Sequence, residues 1–226
     1  MGEMDLRLQG ILFDLDGVLI DSGRDIMHAV NWTLCEHGLS PLPYETVKRH
    51  VGHGAGVLLA RCFAEFGPQH EVLAEQALPA YKSRYLAYSV VETALYEGVS
   101  AGLAALRAAG FRMAVVTNKP GALAQKILET LGVWQVFDLL VPPEELTRIK
   151  PDPEGLLLAM TSLGLQPEGT VMVGDTWSDM EAGKRAGTRT FGALWGLGDP
   201  QAVCAEKPDG TGMDFPSFVQ WALSLK

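Results

Sequence analysis

Five short apolar runs, at residues 10–14, 112–117, 138–141, 170–174 and 188–193, constrain this chain most. Each has the length and continuous apolar character of a strand buried on both faces. Helical patterns lie between the later ones. Leu103, Leu106 and Ala109 recur at helical spacing before Gly110, and Leu123, Ile127, Leu128 and Leu131 do so before Gly132. Pro153 opens a third pattern, in which Leu156, Leu157, Met160 and Leu163 precede Gly164. Strand alternating with helix means a parallel sheet covered on both faces, an α/β Rossmann-like core. Residues 215–225 read as an amphipathic helix that closes this core.

Residues 22–91 break the alternation. They contain no convincing strand and read as helices around Ile26, Val30 and Leu34, then at 57–66 and 73–88, with Pro41-Leu42-Pro43 as a break. A stretch this long is not one crossover loop. It reads as a helical cap domain, residues 22–91, inserted into a core made of residues 1–21 and 92–226. Its entry point adjoins the acidic end of the first strand, where a lid would exclude water and sort substrates.

Three of the strand ends carry chemistry. Ile11-Leu12-Phe13 delivers Asp14, with Asp16 one residue further on, to the carboxyl edge where open α/β sheets bind ligands. One carboxylate there can act as nucleophile and the other as proton donor and acceptor, although an Asp-Gly turn after a strand is also common. Thr117 and Asn118 close the second strand just before a helix start, which suits a phosphate and equally suits an ordinary helix cap. Lys150 precedes a Pro-rich helix start and can reach back to neutralise a transferring phosphoryl group. Val171-Met172-Val173-Gly174 ends in Asp175, with Asp179 one helical turn later on the same side. Such carboxylates make a hard oxygen site of the kind Mg²⁺ prefers.

Together, Asp14-x-Asp16-Gly17, Thr117, Lys150 and Gly174-Asp175-x-x-x-Asp179 resemble the haloacid dehalogenase superfamily of phosphotransferases, in order and over nearly the whole chain. Within it, Leu19-Ile20-Asp21-Ser22, Asn31, Gly38-Leu39, Val51-Gly52-His53-Gly54-Ala55 and Thr117-Asn118-Lys119-Pro120 are similar to the phosphoglycolate phosphatase branch. The resemblance implies strand order 5-4-1-2-3, with strands one and four as neighbours. It implies Asp14 as nucleophile and Asp16 as acid and base. Mg²⁺ is then held by Asp14, the Asp16 carbonyl and Asp175, with Asp179 in support. Thr117 and the Asn118 N–H take phosphate oxygens, and Lys150 neutralises charge. Val18 stands where many members have Thr, and His53 where several have Asn. His53 lies in a glycine-rich loop that suits substrate contact or a plain surface role. Lys119 suits either a place facing the cap or, by default, a solvated charge, and Arg61 and Arg84 read as solvated helix charges.

The formal net charge of −9 argues against nucleic acid as partner, and no apolar stretch reaches the length of a membrane helix. Residues 1–8 lack a signal-peptide pattern, and Cys35, Cys62 and Cys204 lack metal-ligand spacing; they read as reduced, mostly buried thiols in a cytoplasmic protein. The expectation is therefore a Mg²⁺-dependent phosphatase acting on a small phosphorylated metabolite, as monomer or homodimer. Alternatives on the same core are a pyrophosphatase, a sugar-phosphate phosphatase or a phosphomutase. A silent phosphate-binding module is the alternative from another class.

Overall fold

The structure, a computed structural model, describes residues 7–226; most of the N-terminal stretch read above for targeting, residues 1–6, lies outside the described residues. In chain order the strands are β1 (Gly10–Phe13), β2 (Ile20–Asp21), β3 (Ala94–Leu95), β4 (Arg112–Val116), β5 (Leu139–Val141), β6 (Thr170–Gly174), β7 (Arg189–Ala193) and β8 (Gly210–Gly212). The helices are α1 (Gly23–Glu36), α2 (Tyr44–Lys48), α3 (Ala55–Ala64), α4 (Glu71–Ala87), α5 (Val99–Ala108), α6 (Gly121–Thr130), α7 (Glu154–Leu163), α8 (Trp177–Ala186), α9 (Pro200–Ala205) and α10 (Phe215–Ser224).

A parallel sheet in the order β5-β4-β1-β6-β7-β8 forms the centre. β1 and β6 are neighbours, as expected. The expected order 5-4-1-2-3 needs one correction, because β8 adds a sixth strand beyond β7. Gly210-Thr211-Gly212 has no apolar side chain, so it carries none of the pattern by which a strand is read from sequence. The ribbon of β2 and β3, paired antiparallel with Ile20 opposite Leu95, was not anticipated because two residues are too few to show a strand pattern.

Side-chain alternation along the strands sorts the core into two layers. Ile11 and Phe13, with Met113, Val115, Val171 and Val173, face the layer built by α5, α6 and α10. Leu12, Ala114, Val116 and Met172 face the opposite layer, where Leu156, Ala159 and Met160 of α7 and Ala182 and Ala186 of α8 pack. Phe13 sits among Phe137, Phe215 and Phe218, with ring centroids 6.2, 6.0 and 5.6 Å away. The strand that carries Asp14 is thereby fixed by packing on both sides.

Helices α1–α4 follow one another between β2 and β3, inserted as an additional helical layer. Ile26, Val30 and Leu34 of α1, Leu59 and Phe63 of α3 and Tyr81 and Tyr85 of α4 share an apolar interior continuous with the first core layer. Cys62 is buried there, but Cys35 and Cys204 are exposed on α1 and α9, which corrects the expectation of mostly buried thiols. Both lie away from the apolar faces of their helices. Among the described residues no helix is long and apolar enough to cross a membrane.

One buried side chain fastens the entry of this layer to its exit. Asp25, in the first turn of α1 and 2% exposed, accepts from the backbone N–H groups of Val91, Glu92 and Thr93 at 3.0, 3.1 and 2.8 Å and from the Thr93 hydroxyl at 2.7 Å. Removing the carboxylate leaves the buried Thr93 N–H and hydroxyl unpaired, together with the partly buried N–H groups before them. Asp25→Ala should lose about 2–4 kcal/mol in urea denaturation. A loss below about 0.5 kcal/mol, the level of an ordinary surface substitution, would show that the clasp is not structural.

Candidate active site

The site grows out of strand register. Phe13 lies opposite Val115 on β4 and Val173 on β6, so these three strands end side by side. Asp14 follows at once, its N–H donating to the Val173 carbonyl at 2.9 Å. Thr117 and Asp175 leave the neighbouring strands within two residues of the same level. The three carboxylates of Asp14, Asp175 and Asp179 come together there, with ligand oxygens all within 4.8 Å of one another.

Glycines make that convergence possible. Gly17 has φ +83°, and a side chain on it would run into the Asp175 carboxylate. A Cβ on Gly174 would collide with Asp179. Asp179 is the third residue of α8 and closes a capping box: its Oδ2 accepts from the Thr176 N–H at 3.1 Å and the Thr176 hydroxyl at 2.6 Å. Asp179 is thus shared between the first turn of α8 and the carboxylate cluster. One oxygen caps the helix, while Oδ1 lies 2.7 Å from the Lys150 ammonium.

Lys150 is the cation of the cluster. It arrives from the loop between β5 and α7, is 4% exposed, and pairs with Asp14 Oδ1 at 2.9 Å. Its Nζ also donates to the Val116 carbonyl at 2.8 Å. Asn118 fixes the loop that presents it: its amide donates to the Lys150 carbonyl at 3.3 Å and to the Gly52 carbonyl at 3.0 Å, and its Oδ1 accepts from the Lys150 N–H at 3.2 Å. Asn118 therefore ties the inserted layer to the sheet edge. Thr117, 2% exposed, accepts at Oγ1 from the Lys119 N–H at 3.1 Å.

Three residues depart from the sequence reading. Lys119 is not solvated: it is 6% exposed and pairs with both oxygens of Asp16 at 2.7 and 2.9 Å. Its ammonium also donates to the Tyr85 hydroxyl of α4 at 2.9 Å, and Ser22 donates to Asp16 as well. The Asp16 side chain accordingly points away from the three-carboxylate cluster. A lysine after a strand-end Thr-Asn, with Tyr81 and Tyr85 one helical turn apart, is the signal that sequence reasoning passed over. His53 does not line the cavity above Asp14. It borders an adjoining depression with Lys82, Glu144 and Ile149, its ring 5.9 Å from that of Trp177. Burial, together with the Arg61 charge, holds its imidazole below the ordinary pKa. Arg84 stacks on the Trp32 and Tyr88 rings at 5.2 and 3.9 Å, instead of standing free in solvent.

Between the inserted layer and the sheet edge lies a cavity of about 360 Å³. Asp14, Asp16, Thr117, Asn118 and Lys119 line its floor, and Leu58, Tyr81 and Leu86 are among the apolar residues on its walls. Desolvation is the largest influence on the titration of Asp14 and Asp175. Burial pushes Asp14 up to about 6 from an ordinary 3.8, with Lys150 pulling it down and Asp179 adding to the rise. Burial and the neighbouring Asp179 and Asp14 charges raise Asp175 well above the carboxylate range, against the pull of the Gly198 and Leu197 N–H groups. Burial works against the Lys150 charge, but Asp14 and Asp179 outweigh it and hold the ammonium above its usual pKa. Leu197 and Gly198 donate to Asp175 Oδ2 at 2.8 and 2.9 Å, which leaves the buried Oδ1 with no hydrogen-bond partner among the described residues. An orphaned oxygen within a cluster of hard carboxylate donors fits a divalent cation.

Without such a cation the cluster is costly. Because the folded pKa of Asp14 lies above its unfolded value, ionising it weakens the fold as pH rises from about 4 through about 6. Asn resembles the protonated form. In chelator at pH 7.5, Asp14→Asn should therefore be more stable than the parent chain by about 1–3 kcal/mol, and the gap should close below about pH 4. Parallel melting curves across that pH range check this, and a variant less stable at pH 7.5 would contradict it.

Comparison with known proteins agrees with this geometry. Residues 11–193 match the family model described as haloacid dehalogenase-like hydrolase. The chain is 41% identical to a phosphoglycolate phosphatase of Aquifex aeolicus, over 82% of this chain and 84% of that protein. It is 36% identical to an N-acetylmuramic acid 6-phosphate phosphatase of Pseudomonas aeruginosa, over 87% of this chain and 86% of that one. Among solved structures, that of a predicted phosphoglycolate phosphatase from Haemophilus somnus superposes with a TM-score of 0.85 at 28% identity, covering 97% of this chain and 99% of the other. This chain belongs to the haloacid dehalogenase-like hydrolase family.

Proposed function

We propose that this protein hydrolyses a small phosphomonoester through an aspartyl-phosphate on Asp14, with activity like that of phosphoglycolate phosphatases. The observation that carries the reading is the buried Asp14 carboxylate at a strand end, paired with Lys150 at 2.9 Å and clustered with Asp175 and Asp179. The similarity to two kinds of phosphomonoesterase supports the same chemistry.

In this reading an Asp14 carboxylate oxygen attacks phosphorus, forming an acyl phosphate as the bond to the leaving oxygen breaks. Asp16 gives its proton to that oxygen. It then takes a proton from the water that attacks phosphorus and releases phosphate and Asp14. Thr117 and the Asn118 N–H hold phosphate oxygens, and Lys150 offsets the charge that builds between nucleophile and phosphoryl group. Asp14, Asp175, Asp179 and the Asp16 carbonyl would hold Mg²⁺. Bound there, Mg²⁺ supplies positive charge to the phosphoryl oxygens and relieves the repulsion among the carboxylates. His53 is left for contact at the mouth of the site, beside Lys82.

Residues 22–91 act as a cap over the core of residues 1–21 and 92–226, excluding water from the cavity. Its contacts across the seam, Asn118 to Gly52 and Lys119 to Tyr85, support a closed arrangement in which the cavity is roofed. Three free cysteines are consistent with a reducing cytoplasm, and the site needs no second subunit for the residues named here.

Phosphate release from a panel of phosphomonoesters, sugar phosphates, nucleotides and pyrophosphate tests the reading. Turnover should require Mg²⁺, stop in chelator and be abolished in Asp14→Asn. Lys150→Met should lower kcat by roughly 10²–10³-fold, the effect of removing one preorganised electrostatic contact. Folded protein that releases no phosphate from any member, or an Asp14→Asn variant that keeps turnover, would refute it.

A further inference from the structure

The chemistry above leaves one buried cation without a task. Lys119 lines the cavity with its ammonium bound to both Asp16 oxygens and to the Tyr85 hydroxyl, and its side chain is 3% exposed. A charge held out of water is expensive unless paired, so a ligand that displaces Asp16 from it must bring a negative charge of its own. The pair Lys119 makes occupies both oxygens of the carboxylate that must face the ester oxygen. Beyond Lys119 the cavity turns apolar, with Ile26, Leu58, Tyr81 and Leu123 on its walls. Among the residues lining it, the other cation is Lys82, which is exposed.

We propose that Lys119 is the specificity-determining receptor for a carboxylate on the leaving alcohol, which makes the substrates phosphate esters of hydroxy acids. The inference rests on the phosphatase reading and names its substrate class. An incoming carboxylate takes the ammonium over from Asp16, and the freed Asp16 side chain turns to the ester oxygen. Lysine has three donors, so the Tyr85 hydroxyl remains a partner throughout. A carboxylate suits the place better than a second phosphate. One buried ammonium balances one negative charge, whereas a dianion would leave an uncompensated charge against apolar walls.

The test compares phosphoglycolate with hydroxyethyl phosphate, in which an alcohol replaces the carboxylate, and with ethanediol bisphosphate, all with Mg²⁺. The parent enzyme should prefer phosphoglycolate over hydroxyethyl phosphate in kcat/KM by roughly 10–10²-fold, the worth of one charge-assisted contact. Lys119→Met should bring the ratio to within about threefold of unity, and Lys119→Arg should restore part of it. Tyr85→Phe leaves the ion pair intact and keeps the test available if Lys119→Met does not fold. It should narrow the ratio several-fold, mainly through KM for phosphoglycolate. A parent enzyme that turns over both esters equally, a Lys119→Met variant that keeps the preference, or a preference for the bisphosphate would overturn the inference. Absence of turnover on every ester would remove the phosphatase reading and this inference with it, whereas turnover without the preference removes the inference alone.

Discussion

The Lys150 ammonium is what allows the rest of the site to exist. It lies 2.9 Å from Asp14 and 2.7 Å from Asp179, inside a sheet edge where both carboxylates are shielded from water. Parallel strands in register bring the acids together, and Asn118 fixes the loop that brings the cation to meet them. Even so, one cation does not balance the cluster. The raised pKa values of Asp14 and Asp175 and the unpartnered Asp175 oxygen record the remaining deficit of positive charge. A phosphatase uses that deficit: the same field that destabilises the resting fold attracts a divalent cation and makes room for its charge.

Packing determines how firmly this arrangement is held. Phe13, one residue before Asp14, is wedged among three aromatic rings, and the strand's opposite face packs Leu12 against α7 and α8. Asp14, the proposed nucleophile, therefore follows directly on a strand packed on both faces. The inserted layer shares the apolar interior of the first core layer and adds polar contacts at its edges: Asp25 where it joins the core, Asn118 to Gly52, and Lys119 to Tyr85. A packed floor under a layer joined partly by polar contacts lets substrate enter without disturbing the geometry of the chemistry.

The core and most of the site were legible in the sequence because they obey local rules. Continuous apolar runs ending in Asp14 and Asp175 state both the strand and the edge at which it ends, and the helix spacing from Asp175 to Asp179 states that the two acids share a side. What escaped had no local signature. β8 is Gly-Thr-Gly and is a strand because β7 is beside it. Lys119 reads as a surface lysine until α4, folded over from thirty-four positions away in sequence, supplies Tyr85 and closes solvent off. Asp16 likewise could be assigned to the site from its spacing, but its pairing with Lys119, outside the cluster of Asp14, Asp175 and Asp179, depends on that long-range contact.

Covalent attack by Asp14 is the claim from which the other roles follow. Acid quenching of the enzyme during turnover of a substrate radiolabelled in its phosphoryl group, followed by peptide mapping, addresses it directly. Acid-stable, hydroxylamine-labile label should be found on the peptide that contains Asp14 and be absent from Asp14→Asn. Label on another residue, or rapid turnover with no labelled protein at any quench time, would contradict it.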